Sequence, residues 1–107
     1  MKRSTRPPVT GPVWGAESEE LNATILEWGA GHATPEHGND DRDVLVVVLA
    51  GSADVAIGDR TETLRGGEAL IVPKGERRRI TAGSAGVRYL SVHRRRPPLQ
   101  VSPSPPR

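Results

Sequence analysis

Histidine, tyrosine and arginine side chains carry most of the reactive chemistry in this 107-residue chain, which has three histidines and a single tyrosine. His37 lies between Pro35-Glu36 and Gly38-Asn39, with Asp40, Asp41 and Asp43 just beyond; His93 closes an apolar run that also holds Tyr89 and Ser91. A neutral imidazole offers a lone pair to a metal or takes a proton from a substrate. Two candidates follow. One is a metal site on His37 and His93, completed by Asn39, Asp43 or Glu36. The other is a metal-free acid–base pair, with His37 or His93 as base and Tyr89 as acid.

Arg78, the middle of Arg77-Arg78-Arg79, points to different chemistry. A guanidinium is always cationic, offers only donors and meets carboxylates through two parallel bonds. Arg78 would repel a divalent ion and clamp an anion; the competing readings are a structural ion pair with Glu36, Asp43 or another acid, and plain solvent exposure. The candidate ligand-binding set is therefore His37, Asn39, Arg78, Tyr89 and His93. The bland alternatives are a hydrogen-bonded structural role for His37 and a surface position for His93.

Several other patterns carry no site. Cysteine is absent, which excludes disulfides, thiolate catalysis and cysteine-ligated zinc or iron–sulfur centres. Asp40, Asp41 and Asp43 lack calcium-loop spacing and read as a solvated loop. Ser91 and His93, two apart on a strand, do not make a nucleophile–base pair. Gly29-Ala30-Gly31 is too short for a phosphate loop. Asn22-Ala23-Thr24 has the form of a glycosylation acceptor, but no secretory signal precedes it. Trp14 and Trp28 read as core or interface plugs.

The charge is divided along the chain. Its net charge of +2 includes Lys2, Arg3 and Arg6 at one end and Arg94, Arg95, Arg96 and Arg107 at the other. All thirteen acidic residues lie between Glu17 and Glu76, so Pro7 to His93 holds eight basic against thirteen acidic residues, a net of −5. A folded nucleic-acid module would carry its positive stripe on the domain, with aromatics for stacking. Nucleic acid is not an expected partner. Nor is a membrane, since the longest apolar run, Val44 to Ala50, is far shorter than a span. A cytoplasmic location is the expectation.

The elements that must position these residues are strands. Aromatics are scarce and Phe is absent, so the core must come from Val, Leu, Ile and Ala, a composition that favours strands. Residues 1–13 read as a flexible basic, Pro-rich arm and 94–107 as a disordered Arg- and Pro-rich tail, either solvated or a proline-motif ligand. Between them, 14–93 forms one domain. Expected strands are Leu21–Trp28, Asp43–Leu49, Asp54–Ile57, Thr61–Leu64, Ala69–Val72, Arg78–Ala82 and Val87–His93. Gly58-Asp59 makes a two-residue hairpin turn. Glu17–Leu26 as a helical turn is weakened by Asn22, Thr24 and Ile25. Many short strands between Gly and Pro imply a sandwich or barrel. Val44–Leu49 is apolar on both faces, and a partner subunit is the simplest cover for the outer one, so a homodimer is expected.

Two segments resemble the paired signatures of the cupin superfamily. Gly67-Glu68-Ala69-Leu70-Ile71-Val72-Pro73-Lys74-Gly75 matches the pattern Gly, five residues, Pro, any residue, Gly. Pro35-Glu36-His37-Gly38-Asn39 with Asp43 to Gly51 is similar to the histidine-containing first motif. The resemblance covers Leu21 to His93 and implies an all-β, double-stranded β-helix (jelly-roll) barrel, often dimeric. Family metal sites take two histidines and a glutamate from the first motif and a histidine from the second. Here His37 is kept, while Asn39, Val44 and Arg78 stand at the other three positions. The implied function is an interior pocket for a small, anionic molecule without a conventional metal site and with no cofactor. The alternative is a divalent metal ion in a site rebuilt around His37 and His93, serving an oxygenase or isomerase.

Overall fold

The computed structural model describes residues 10–38 and 41–95. Asn39 and most of both terminal arms lie outside the described residues. Those described form seven strands and no helix.

The first hairpin joins β1 (Gly11–Glu17) to β2 (Leu21–Trp28). No helical turn forms over 17–26; Ser18 instead shapes a tight turn, its Oγ accepting the N–H groups of Glu20 at 3.2 Å and Leu21 at 3.0 Å. β1 begins inside the segment assigned to the arm. Pro12 looks like a strand breaker, yet β1 is an edge strand, where a missing donor costs little, and a register shift falls between Pro12 and Trp14.

The middle of the chain holds fewer and longer strands than the turn signals suggest. After the short β3 (His37–Gly38), β4 runs unbroken from Val44 to Ile57 and so joins two expected strands. The hairpin turn at Gly58-Asp59 is as expected, with Ile57 opposite Arg60 and Gly58 at φ 59°, and leads into β5 (Arg60–Arg65). β6 (Ala69–Val72) follows, and β7 (Arg77–Arg94) again joins two expected strands. Gly51 is a corner instead of an end. Register shifts fall between Val48 and Ala50 and between Gly51 and Ala53. Gly51 has φ 75°, and a Cβ there would be driven into the carbonyl oxygen of Gly86 across the ladder. Such bulges bend a strand without ending its pairing.

At the bend, β4 and β7 pass together from one half of the fold to the other. The first half of β4 pairs with β6 and the second half of β7, which pairs with β2. The second half of β4 pairs with β5 and the first half of β7, which pairs with β3. The strand path β1-β2-β7-β4-β5 does not close on itself, so the architecture is an open jelly roll and not a sealed barrel.

One apolar cluster fills the space between the halves. Val44, Val46 and Val48 from the first half of β4 meet Ala53, Val55 and Ile57 from the second, with Leu64, Val72, Ile80, Ala82, Val87 and Tyr89 around them. Strand alternation sends every second residue of β4 inward. Fully burying each of these valines stabilises the fold by about 1.5–3 kcal/mol. The same alternation leaves Leu45 and Leu49 exposed on the outer face.

Candidate functional site

The pairing register decides which face of β7 lines the interior. Tyr89 sits opposite Val48, Ser91 opposite Val46 and His93 opposite Val44, and all three valines are buried. Directly opposed residues share a face, so Tyr89, Ser91 and His93 point inward while Leu90 and Val92 point out. In the other half, Ile80 and Ala82 are buried, and the same phase turns Arg78 inward and leaves Arg77 and Arg79 exposed. His37 on β3 lies directly opposite Arg78. The two signature segments thus meet at this pair, although His37 itself is exposed.

Arg78 has no acid to pair with among the described residues. Glu36 is taken by Arg77, whose Nε lies 3.3 Å from the carboxylate. Asp43 accepts the backbone N–H of Lys74 at 2.9 Å. The structural ion pair considered for Arg78 therefore does not form with either acid. Its Nη1 is buried with no hydrogen-bond partner, and so is Nε of Arg42. Burial pushes the Arg78 guanidinium below its usual range; the Tyr89 phenol acts in the opposite direction and the Arg42 charge adds to the lowering. Arg42 was not among the sequence candidates. The one signal that would have found it is its phase, two residues ahead of inward-facing Val44.

Tyr89 is held from behind. Its phenol oxygen accepts the Trp28 indole N–H at 3.3 Å, and Trp28 in turn stacks on His32 with centroids 4.4 Å apart. Trp28 and His32 are therefore supports, which matches the plug role for Trp28; Trp14 lies half-exposed on the edge strand. Burial raises the pKa of Tyr89, against smaller opposing effects from the Trp28 hydrogen bond and the Arg78 charge. The phenol stays protonated near neutrality, and its own O–H is left to donate forward.

His93 closes the row. Its Nδ1 lies 3.0 Å from the carbonyl oxygen of Arg94. A carbonyl only accepts, so Nδ1 donates in this contact. The residue also borders a groove of about 380 Å³ that opens on the outer face, lined by Leu45, Ile71 and Val92 together with Asp41, Arg42 and Asp43.

Among the described residues no three His, Cys, Asp or Glu side chains come together to hold an ion, so nothing there joins His37 and His93 as a third ligand. Val44, at the glutamate position, is fully buried in the core. Arg78, at the position of the second motif's histidine, is a fixed cation. What the interior offers is a protonated phenol, the orphaned Nη1 of Arg78 and apolar walls. That arrangement fits an oxyanion.

Comparisons with known proteins bear on the fold. The family model described as "Cupin domain" matches residues 24–93. No curated protein matches the chain. Among solved structures, TT1209 from Thermus thermophilus is similar with a TM-score of 0.71 and 24% identity, over 80% of this chain and 81% of that one. KdgF from Halomonas sp. gives a TM-score of 0.71 and 18% identity, over 78% and 76%. Bacillus subtilis oxalate decarboxylase, a protein with Mn(II) centres, gives 0.68 and 23% identity, covering 72% of this chain but 22% of its own length.

Proposed function

This chain belongs to the cupin superfamily, and we propose that its jelly roll binds a small anionic molecule through Arg78 instead of through a metal. The observation that carries this reading is the buried, unpartnered Nη1 of Arg78 in the interior wall. A buried donor without a partner costs about 1–3 kcal/mol, a cost that an anionic ligand removes on binding. Ile57 lies directly opposite Arg78, and the buried pair of Val55 and Ile80 follows on the same face. In such apolar surroundings a charge-assisted bond is stronger than in water. Tyr89 adds a second donor, and its protonated state suits an oxyanion acceptor. A manganese centre like that of oxalate decarboxylase does not carry over, because a fold likeness at 23% identity says nothing of the ligands.

The test is a thermal-shift screen of small carboxylates and phosphate against the wild-type protein and Arg78→Met. Stabilisation of the wild type that vanishes in the variant supports the reading. A response that survives the loss of Arg78 sinks it.

The outer face belongs to the same proposal. Leu21, Leu45, Leu49 and Ile71 are exposed, Ile71 at 55%. Ile71 and Val92 both lie directly opposite Leu45. A continuous apolar face of this kind is costly in water, and a second copy of the chain is the cover we propose.

A further inference from the structure

The outer face, the seat proposed for a second copy, holds a groove, and β7 delivers the chain to its rim. Leu21, Leu45, Ile71 and Val92 line about 380 Å³ of it, and an adjoining space of about 680 Å³ shares Leu21 and Arg94 and takes in Arg95. Leu21 lies directly opposite Arg94, and Leu45 lies opposite both Val92 and Ile71. Directly opposed residues share a face, so this floor crosses β2, β7, β4 and β6. Leu21, Leu45 and Ile71 on it are exposed. The larger space is lined by three acids, Glu19, Glu20 and Asp41, and by three bases, Arg42, Arg94 and Arg95. Its charges balance, so an uncharged segment with apolar side chains suits it.

Such a segment follows directly. After Arg95 the sequence runs Arg96-Pro97-Pro98-Leu99-Gln100-Val101, and no charge occurs from Pro97 to Ser104. Leu99 and Val101 fall on one side of an extended chain. Even at the polyproline rise, the six residues from Arg95 to Val101 reach about 19 Å. Along β7, Val92 lies only about 10 Å back from Arg95. The direction of departure is fixed, because the Arg95 N–H donates to the carbonyl oxygen of Glu20 at 2.7 Å. A residue before proline is held extended, and Arg96 and Pro97 both stand in that position, which opposes an immediate reversal onto the chain's own groove. In a two-fold pair the same patch of each copy meets the other. A chain leaving from Arg95 therefore emerges within the interface, beside the partner's groove.

Resting on the second-copy reading above, we infer that residues 96–101 of each copy lie in the groove of the other, with Leu99 and Val101 seated on its apolar floor. The two copies are thus joined by an exchange of segments as well as by their outer faces.

The test uses the full-length protein, which has no cysteine of its own. Ile71→Cys and Val101→Cys are introduced together, the protein is oxidised, and linked peptides are identified by mass spectrometry. A link between positions 71 and 101 within a covalent dimer is the expected result. The same link inside a single chain would place the segment on its own groove and overturn the exchange. Links of 71 to 71 or 101 to 101 alone, or no link, would overturn it too. Sedimentation velocity on Leu99→Ser combined with Val101→Ser gives a second reading, with circular dichroism verifying the fold. Losing these apolar contacts in both copies should weaken the dimer at least about tenfold. A change within about twofold would overturn the inference and leave the second-copy reading standing. A wild-type protein that is monomeric at every concentration would end both.

Discussion

Replacing Arg78 by methionine should make the protein more stable and deprive it of its ligand response. Methionine keeps an unbranched stem of similar reach and removes the charge and all five donors. The buried Nη1 of Arg78 has no partner, and an orphaned buried donor costs about 1–3 kcal/mol. The side chain is only half-buried, so part of the guanidinium is still hydrated and the lower end, about 1 kcal/mol, applies. For a domain of this size about 1 kcal/mol corresponds to a rise in Tm of about 4–8 °C. Differential scanning calorimetry without added anion gives the Tm, and urea titration gives the free energy, with an unchanged slope showing that the folded state is intact. A variant less stable than wild type would show that Arg78 is already satisfied by the protein, and the argument from the orphaned donor would collapse. Stabilisation at the expense of a binding function is the usual trade at such sites.

Three other expectations can be checked independently. Tyr89 is the only tyrosine, so tyrosinate absorbance reports it alone. Its folded pKa is raised by burial, so the midpoint of ionisation should lie above that of an ordinary tyrosine in the native protein and return to about 10 in urea; because the folded state holds this proton more tightly, the contribution of Tyr89 to stability is complete below the unfolded pKa of about 10 and is lost as pH climbs from there through the folded pKa. Gly51→Ala forces a side chain at φ 75° into the Gly86 carbonyl, and should cost about 3 kcal/mol or more, read as a fall in the urea midpoint; a near-neutral result would mean that the corner is not fixed there. Leu45→Lys together with Ile71→Lys should convert a dimer to a monomer in light scattering with little change in circular dichroism, whereas an unchanged mass would remove the outer face as the interface.

Local patterns were readable where local physics decides them. Leu21–Trp28 and Ala69–Val72 form strands with the expected bounds, because alternation or an apolar run between turn residues suffices. The Gly58-Asp59 hairpin followed from a two-residue loop in which glycine supplies the positive φ. The spacing of Gly67, Pro73 and Gly75 identified the family, since such turns recur at fixed places in this fold. Gly51 was readable as a break in pattern but not as a bend: a glycine that ends a strand and one that turns a corner look alike until the chain across the ladder is known. The start of β1 was hidden in the Pro-rich arm for the same reason, because only the sheet order shows that Pro12 lies on an edge strand.

The candidate site divides along the same line. The residue types at His37, Arg78, Tyr89 and His93, and the departure from a metal-ligand pattern at Val44 and Arg78, are properties of the sequence alone. Which face of β7 turns inward is not, since alternation defines two faces and only the register against buried Val44, Val46 and Val48 selects one. Arg42 needed the tertiary structure beyond its phase ahead of Val44, because only the fold leaves its Nε buried without a partner. The tertiary structure also decided the fate of the acids, by giving Glu36 to Arg77 and Asp43 to a backbone amide. Sequence determines what each side chain is able to do; whether a charge is answered or left orphaned depends on which distant groups the fold brings within hydrogen-bonding reach.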